Sequence, residues 1–434
     1  MVSRLRRMAM VVLFGLSVLA APPARASGSP VEAVQGLVQA GELELARDQL
    51  LAWQPQSAAE AERRLWLLAV VYREGGRPDL ALIVLEDLVA RRPDVARFRL
   101  ELADTLARLG QQDRAAYHYD LARGGELSDA QRAHAASNAT RMETPSPWTG
   151  NFGIALVPSS NPGRKTQEET LDLGFGTAVL SQESRAQPAT GLEVGARLAY
   201  AHRISQRLQG QVAVNLNGRL FADRDDNDVT GSIEAGLVHR LGPDALLRTT
   251  LSYQRRDLGG DLYSRGPGFG VNLMLRSGAR GRIGLGLTLS DLTYPGAPGA
   301  DGLRSVAMLS YDHALSPTFG LRTLLRYERV DAVNADVAAT SWEAGLGASQ
   351  VFRGGLILDA DLRLRRSGRD GPHGLFGVVQ QDRRQTLSLR LRHSEVSWRG
   401  FAPYVELTAE RQRSSIPYYS YDAQDLTLGL TRRF

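Results

Sequence analysis

The hydrophobic pattern of the chain changes period once, near residue 143. Before that point apolar residues recur at helical spacing, with Leu82, Leu85 and Leu88 on one stripe and Leu102 and Leu106 on another. Such spacing predicts amphipathic helices that bury one face against each other. After it, apolar and polar residues alternate singly, as in Val212-Ala-Val-Asn-Leu-Asn, Ile283-Gly-Leu-Gly-Leu-Thr-Leu-Ser and Leu387-Ser-Leu-Arg-Leu-Arg-His. Side chains of an extended strand point to opposite faces in turn, so each segment has one apolar and one wet side.

The chain ends in the same way. Leu426, Leu428, Leu430 and the terminal Phe434 share one parity, while Thr427, Gly429, Thr431 and Arg433 share the other. An alternating last strand that closes on an aromatic has the form of the final strand of a bacterial outer-membrane barrel. These four apolar residues are the expected assembly signal, with the barrel assembly machinery as a partner. Counting back from Phe434 predicts thirteen strands, the earliest near 190–202. A barrel with both ends on one side of the membrane needs an even number, so fourteen are expected. Two segments compete for the first, Trp148 to Val157 and Glu169 to Leu180. Short connections are expected near Ile204-Ser205, Gly242-Pro243, Ser277-Gly278, Ser316-Pro317 and Arg353-Gly354. Long ones are expected through Asp223–Asn227, Gly259–Tyr263, Pro295–Asp301, Asp331–Asp336, Ser367–Asp382 and Ser414–Tyr421.

Parity assigns faces. From Leu356 to Arg366 the outward set is Leu356, Leu358, Ala360, Leu362 and Leu364, and the inward set includes Asp359, Asp361, Arg363 and Arg365. Neighbouring strands turn Arg322, Arg326, Glu328, Arg390, Arg392, Glu406 and Glu410 inward. This predicts a wet, mixed-charge lumen, read either as cross-strand pairs that stiffen the wall or as a hydrated conduit. Tyr253, Tyr327, Trp398 and Tyr404 lie near strand ends, where aromatics anchor a barrel at the membrane interface.

The helical part repeats internally. Gly76 and Gly110 are 34 residues apart, as are Ala81 and Ala115, and Leu85 and Tyr119. Gly41 and Ala46 begin an earlier, less regular copy. The motifs Gly41-Glu-Leu-Glu-Leu-Ala46, Gly76-Arg-Pro-Asp-Leu-Ala81 and Gly110-Gln-Gln-Asp-Arg-Ala115 resemble tetratricopeptide repeats, whose stacked pairs leave a concave face for a peptide or partner. At the N-terminus, Arg4, Arg6 and Arg7 precede an apolar stretch, and Ala24-Arg-Ala26 offers small residues for cleavage, as in a secretory signal. The expected layout is signal peptide 1–26, periplasmic helical domain 27–142, linker and junction 143–168, and an all-β antiparallel transmembrane barrel 169–434, unless the first strand is 148–157.

Composition narrows the chemistry. With no cysteine among 434 residues, disulfides, a lipid anchor and thiolate metal ligands are excluded. The net charge of +5 is carried by dispersed arginines, which argues against a nucleic-acid partner. None of the seven histidines lies beside a nucleophile motif, so no catalytic residue, cofactor or metal is expected. Asp223, Asp225, Asp226 and Asp228 crowd one loop without the spacing of a calcium-binding loop.

The order of signal peptide, helical repeats and fourteen-strand barrel resembles the surface lipoprotein assembly modifier (Slam) family, the type XI secretion translocons. Those proteins often carry a strand followed by a stretch like Pro-Asp-Ser-Asn-Ile-Asn. Here Gly153-Ile-Ala-Leu-Val-Pro158-Ser159-Ser160-Asn161-Pro162-Gly163 keeps Pro158, Ser160 and Asn161 and departs at Ser159, Pro162 and Gly163. Leu171-Asp-Leu-Gly-Phe-Gly176, Gly191-Leu-Glu-Val-Gly-Ala and the last residues from Leu428 are similar as well. The resemblance implies an outer-membrane translocon that moves a protein, often a lipoprotein, from periplasm to surface. Its implied partners are the exported substrate, periplasmic chaperones and outer-membrane lipid. The alternative expectation is a passive porin with an accessory domain, marked by a constriction loop, for which Ser367–Asp382 is the long candidate.

Overall fold

The computed structural model describes residues 30–433 apart from 110, 143–146, 173–175, 279, 354, 394, 395, 397 and 399. The expected signal peptide and Phe434 lie outside the described residues. Helices come first: α1 (Pro30–Ala40), α2 (Leu43–Ala52), α3 (Ala58–Glu74), α4 (Pro78–Arg91), α5 (Ala96–Arg108), α6 (Gln112–Arg123) and α7 (Asp129–Met142). Gly41 and Gly76 sit in the turns joining α1 to α2 and α3 to α4 with φ of 77° and 74°, a conformation a β-carbon resists. That explains two of the recurring glycines; Gly110 lies outside the described residues. Ala46, Ala81 and Ala115 are fully buried where neighbouring helices meet, and Leu85, Leu88, Leu102, Leu106 and Tyr119 fill the core between them. Leu82 is only partly buried at its edge.

Strands follow in chain order: β1 (Trp148–Ser159), β2 (Thr170–Asp172), β3 (Thr177–Val179), β4 (Ala189–Arg203), β5 (Leu208–Leu220), β6 (Asp228–Arg240), β7 (Ala245–Leu258) and β8 (Asp261–Ser277). The rest are β9 (Gly281–Leu292), β10 (Gly302–Ala314), β11 (Phe319–Ala332), β12 (Ala339–Val351), β13 (Leu356–Pro372), β14 (Val379–His393), β15 (Ala402–Ser414) and β16 (Tyr421–Arg433). All but β2 and β3 form one closed antiparallel barrel of fourteen strands, in which β1 bonds to β16 on one side and β4 on the other. Closure leaves no strand edge unpaired, which lipid requires.

The two candidates for the first wall strand thus separate. Residues 148–157 lie within β1, whereas 169–180 holds β2 and β3, a short ladder in the connection after β1. A barrel start at 169 is therefore corrected to 148. Three-residue strands are too short to cross a bilayer, for which about ten residues are needed. Two expected long loops are corrected as well. Gly259 and Gly260, with φ of 63° and 84°, make a tight two-residue hairpin, and most of 367–382 is ladder pairing out to Pro372 and Val379. Strands that run beyond lipid need no apolar face, so their sequence reads like loop.

The packing is inside out between the two parts. The hydrophobic core cluster lies wholly between Val34 and Ala135. The barrel instead exposes Leu198, Val212, Leu237, Leu251, Leu287, Leu325, Leu346, Leu364, Leu387, Leu407 and Leu428 around its outer wall. So continuous an apolar belt would be untenable in water and is the surface lipid covers. Trp148 with Tyr200, and Tyr327 with Trp342, meet as tilted ring pairs on this face at centroid distances of 4.9 and 4.6 Å. Among the described residues no helix is long and apolar enough to cross a membrane; the strands do so.

Candidate functional site

The lumen is built by the polar parity of the strands. Arg322 on β11 reaches across β12 to Asp361 on β13, at 2.9 Å. It can do so because β12 carries Gly347 between them, where a β-carbon would come within 2.5 Å of the Asp361 carboxylate. Arg392 meets Asp359 at 3.2 Å, and Arg390 pairs with Glu406. Arg326, Arg304 and Arg365 converge on Glu328 at 2.8, 3.0 and 3.4 Å. Arg363 lines the same space without an ion-pair partner among the described residues. Asp359, Asp361, Arg363, Arg390 and Arg322 enclose a cavity of about 460 Å³. Partly solvated pairs of this kind contribute roughly 0–1 kcal/mol each. They fix side-chain geometry along a wet wall more than they stabilise it.

Tyr404 departs from its expected place. It points into the lumen, with the Arg390 guanidinium 4.7 Å from its ring centre. Gly429 on the neighbouring strand leaves it room, since a β-carbon there would strike the ring. Parity already grouped it with Glu406 and Glu410, and the residue type misled.

The stretch Pro158-Ser-Ser-Asn161 ends β1 at the far mouth, opposite the helices and the end of β16. Within the expected linker and junction 143–168, residues 148–159 form a wall strand. Pro158 lacks an N–H and sits where pairing to β16 is interrupted. Ser160 extends that pairing: its N–H donates to Gln424 O at 2.9 Å, and its hydroxyl accepts from Gln424 N–H at 2.8 Å. Asn161, almost fully buried, donates to the carbonyls of Lys165 (2.8 Å) and Asp422 (3.1 Å), while its oxygen accepts from Lys165 N–H at 2.9 Å. The chain is thereby turned inward, through Arg164 with a positive φ of 53°. Arg164 reaches Asp425 at 2.6 Å and Glu410 at 3.3 Å, and Arg219 joins Asp425 at 3.0 Å. Lys165 binds Asp226 at 3.0 Å, so the aspartate-rich loop is engaged internally. Asp228 likewise pairs with Arg256 at 2.7 Å. The residues that fold inward therefore come from 160–167, while 367–382 mostly continues the wall. Sequence reasoning missed Arg164, Arg219 and Asp425 as a cluster because their separations in the chain exceed 200 residues for two of the three pairs.

At the opposite mouth, where β1 begins and β16 ends, the helical domain sits against the barrel. Gly124 and Gly125, just after α6, meet the β10–β11 turn closely: a β-carbon on Gly124 would lie 2.6 Å from Ser316 O, and one on Gly125 would strike Pro317. Tyr117 on α6 lies under Arg392, with 6.0 Å between guanidinium and ring centre. Burial pushes the Tyr117 phenol above its ordinary range, against the opposing pull of Arg392 and Arg99. Burial also lowers the Arg99 guanidinium to about 10, while its Nε donates to Pro93 O at 2.7 Å.

A family model described as "Surface lipoprotein assembly modifier" matches residues 148–434. No curated protein matches the chain. Among solved structures, the chain is similar to the anion-selective porin from Comamonas acidovorans (11% identity, 66% of this chain and 98% of that one, TM-score 0.38). It is likewise similar to a Pseudomonas aeruginosa FadL homologue (11%, 66% and 90%, 0.39) and to the outer-membrane channel DcaP of Acinetobacter baumannii (9%, 66% and 96%, 0.41).

Proposed function

The chain belongs to the surface lipoprotein assembly modifier family, and on that premise we propose that it exports a specific protein, a surface lipoprotein or a small secreted binding protein, from periplasm to cell surface. At the coarser level it is an outer-membrane barrel of translocon or channel type. The finer reading is supported by one observation: a helical domain is seated on one mouth of the barrel. In this reading that mouth is periplasmic, and the helices hold the substrate beneath the pore. Direction would come from release by chaperones inside and folding outside, with no covalent step. The partly paired lumen suits passage, because water screens its charges and no strong site retains the chain.

The test is surface display. Deleting the gene should remove the substrate protein from the cell surface while its periplasmic level holds or rises, measured by protease shaving and surface labelling. Unchanged display would reject export. A passive-channel reading is favoured by the inward segment at Arg164, which narrows the lumen as a constriction loop would. It predicts steady small-ion conductance and no display defect.

A further inference from the structure

Charge pairing differs sharply between the two sides of the lumen. The β10–β16 side matches most of its arginines with carboxylates, as described above. The β4–β9 side, where it meets α6 at the helical mouth, does not. A cavity of about 780 Å³ opens there, with Asp120 and Arg123 of α6 as one wall and the ends of β4 to β9 as the other. Arg203, Arg240, Arg248 and Arg282 face it, with Arg207 at its rim, and none of the five has an ion-pair partner among the described residues. Among the described residues the carboxylates lining it are Asp120 and Asp244, already engaged by Arg123 at 3.2 Å and Arg276 at 3.5 Å. Among the described residues, seven arginines against two aspartates leave a large local excess of positive charge.

Arg203, Arg207, Arg240 and Arg282 are exposed within the recess, and Arg248 is part-buried in its wall. Arg123 is depressed from its ordinary value by burial, and Arg276 and Arg282 push it the same way against Asp120. Cations crowded in a recess with low-dielectric walls focus a positive potential, which raises the local concentration of an anionic ligand. Val238, Leu246 and Met274 give the same cavity apolar surface, so it offers contacts for a chain as well as for charge.

Resting on the export reading, we propose that this vestibule is the receiving site for an acidic, extended segment of the exported polypeptide. A chain entering between α6 and the β4–β9 wall would lay its carboxylates on Arg203, Arg240, Arg248 and Arg282 before moving to the charge-balanced side. That order gives capture at the mouth and weak retention beyond it. A lipid headgroup fits less well, because the closed wall gives acyl chains no way from the lumen to the bilayer.

The full-length protein in detergent tests this by fluorescence anisotropy with a labelled oligoglutamate peptide, beside a Gly-Ser peptide of equal length and phosphatidylglycerol vesicles as competitor. Oligoglutamate should bind, the Gly-Ser peptide should not, and affinity should fall steeply with salt. Combined R240Q, R248Q and R282Q substitutions should weaken binding by about tenfold or more, whereas the three lysine replacements retain most of it, as expected when charge and not fold is lost. Heat-modifiable gel mobility establishes that each variant is a folded barrel. Equal affinity of the glutamine variant, or displacement of the peptide by the vesicles, would overturn the proposal. Loss of peptide binding in the variant with display still dependent on the gene supports it. Wild-type failure to bind peptide, with display intact, rejects the vestibule and leaves export standing. Binding as proposed with display independent of the gene rejects export alone.

Discussion

His118 is enclosed on α6 with Nδ1 buried and without a hydrogen-bond partner among the described residues. Burial, reinforced by Arg99 and Arg114, holds its imidazole well below the ordinary 6.5, so it is neutral when folded. Unfolding frees it to take a proton at the ordinary value. Its contribution to stability is therefore full above about 6.5 and declines as pH falls below that, at up to about 1.4 kcal/mol per pH unit until the folded value is reached. Thermal melts of helical ellipticity between about pH 7.5 and 5 should drop more in the native protein than in His118→Gln. Parallel pH curves would show that His118 is not buried neutral. Parity governs single residues along the wall, where Arg322, Asp359, Asp361, Arg363 and Arg390 line one cavity. Residues were illegible where a distant neighbour decides. Tyr404 reads as a membrane anchor until Gly429 is seen to open a place for it inside.

Elements were readable in proportion to how strongly lipid or a helical core imposed their period. The transmembrane parts of β4 to β16 alternate clearly, whereas the outer extensions of β13 and β14 do not, because water on both faces relaxes the pattern. The same relaxation hid the inward turn after β1, whose course follows from Asn161 binding backbone of both Lys165 and Asp422. A comparable local fact governs the seat of the helices. Gly124 and Gly125 approach Ser316, Pro317 and Ala96 too closely for any side chain. Gly125→Leu should wedge α6 off the β10–β11 turn while leaving helix content intact. Hydrogen-exchange mass spectrometry would then find lost protection over 114–125 and 315–318. Unchanged protection at both would mean that the contact does not hold the two parts together.

At the scale of the molecule, the two parts are stabilised by different media. The helices bury their apolar residues in one another, and the barrel presents its own to lipid, so neither depends on the other for a core. Every wall strand is bonded only to other wall strands, including the β1–β16 closure. Removal of 27–143 with residues 1–26 kept should therefore leave a barrel that inserts and keeps heat-modifiable mobility. It should also remove α6, and with it one wall of the arginine vestibule and the cover over the mouth. Ion conductance should rise, since nothing sits beneath the pore, and surface display of the substrate should fall toward the level of the deletion strain. The two readouts separate the roles of the helices. Raised conductance with normal display would make them a cover without a part in substrate handling, whereas lost display at unchanged conductance would make them a receptor that does not gate. An unassembled truncation would instead show that the barrel needs its helical partner to close, contrary to the strand pairing.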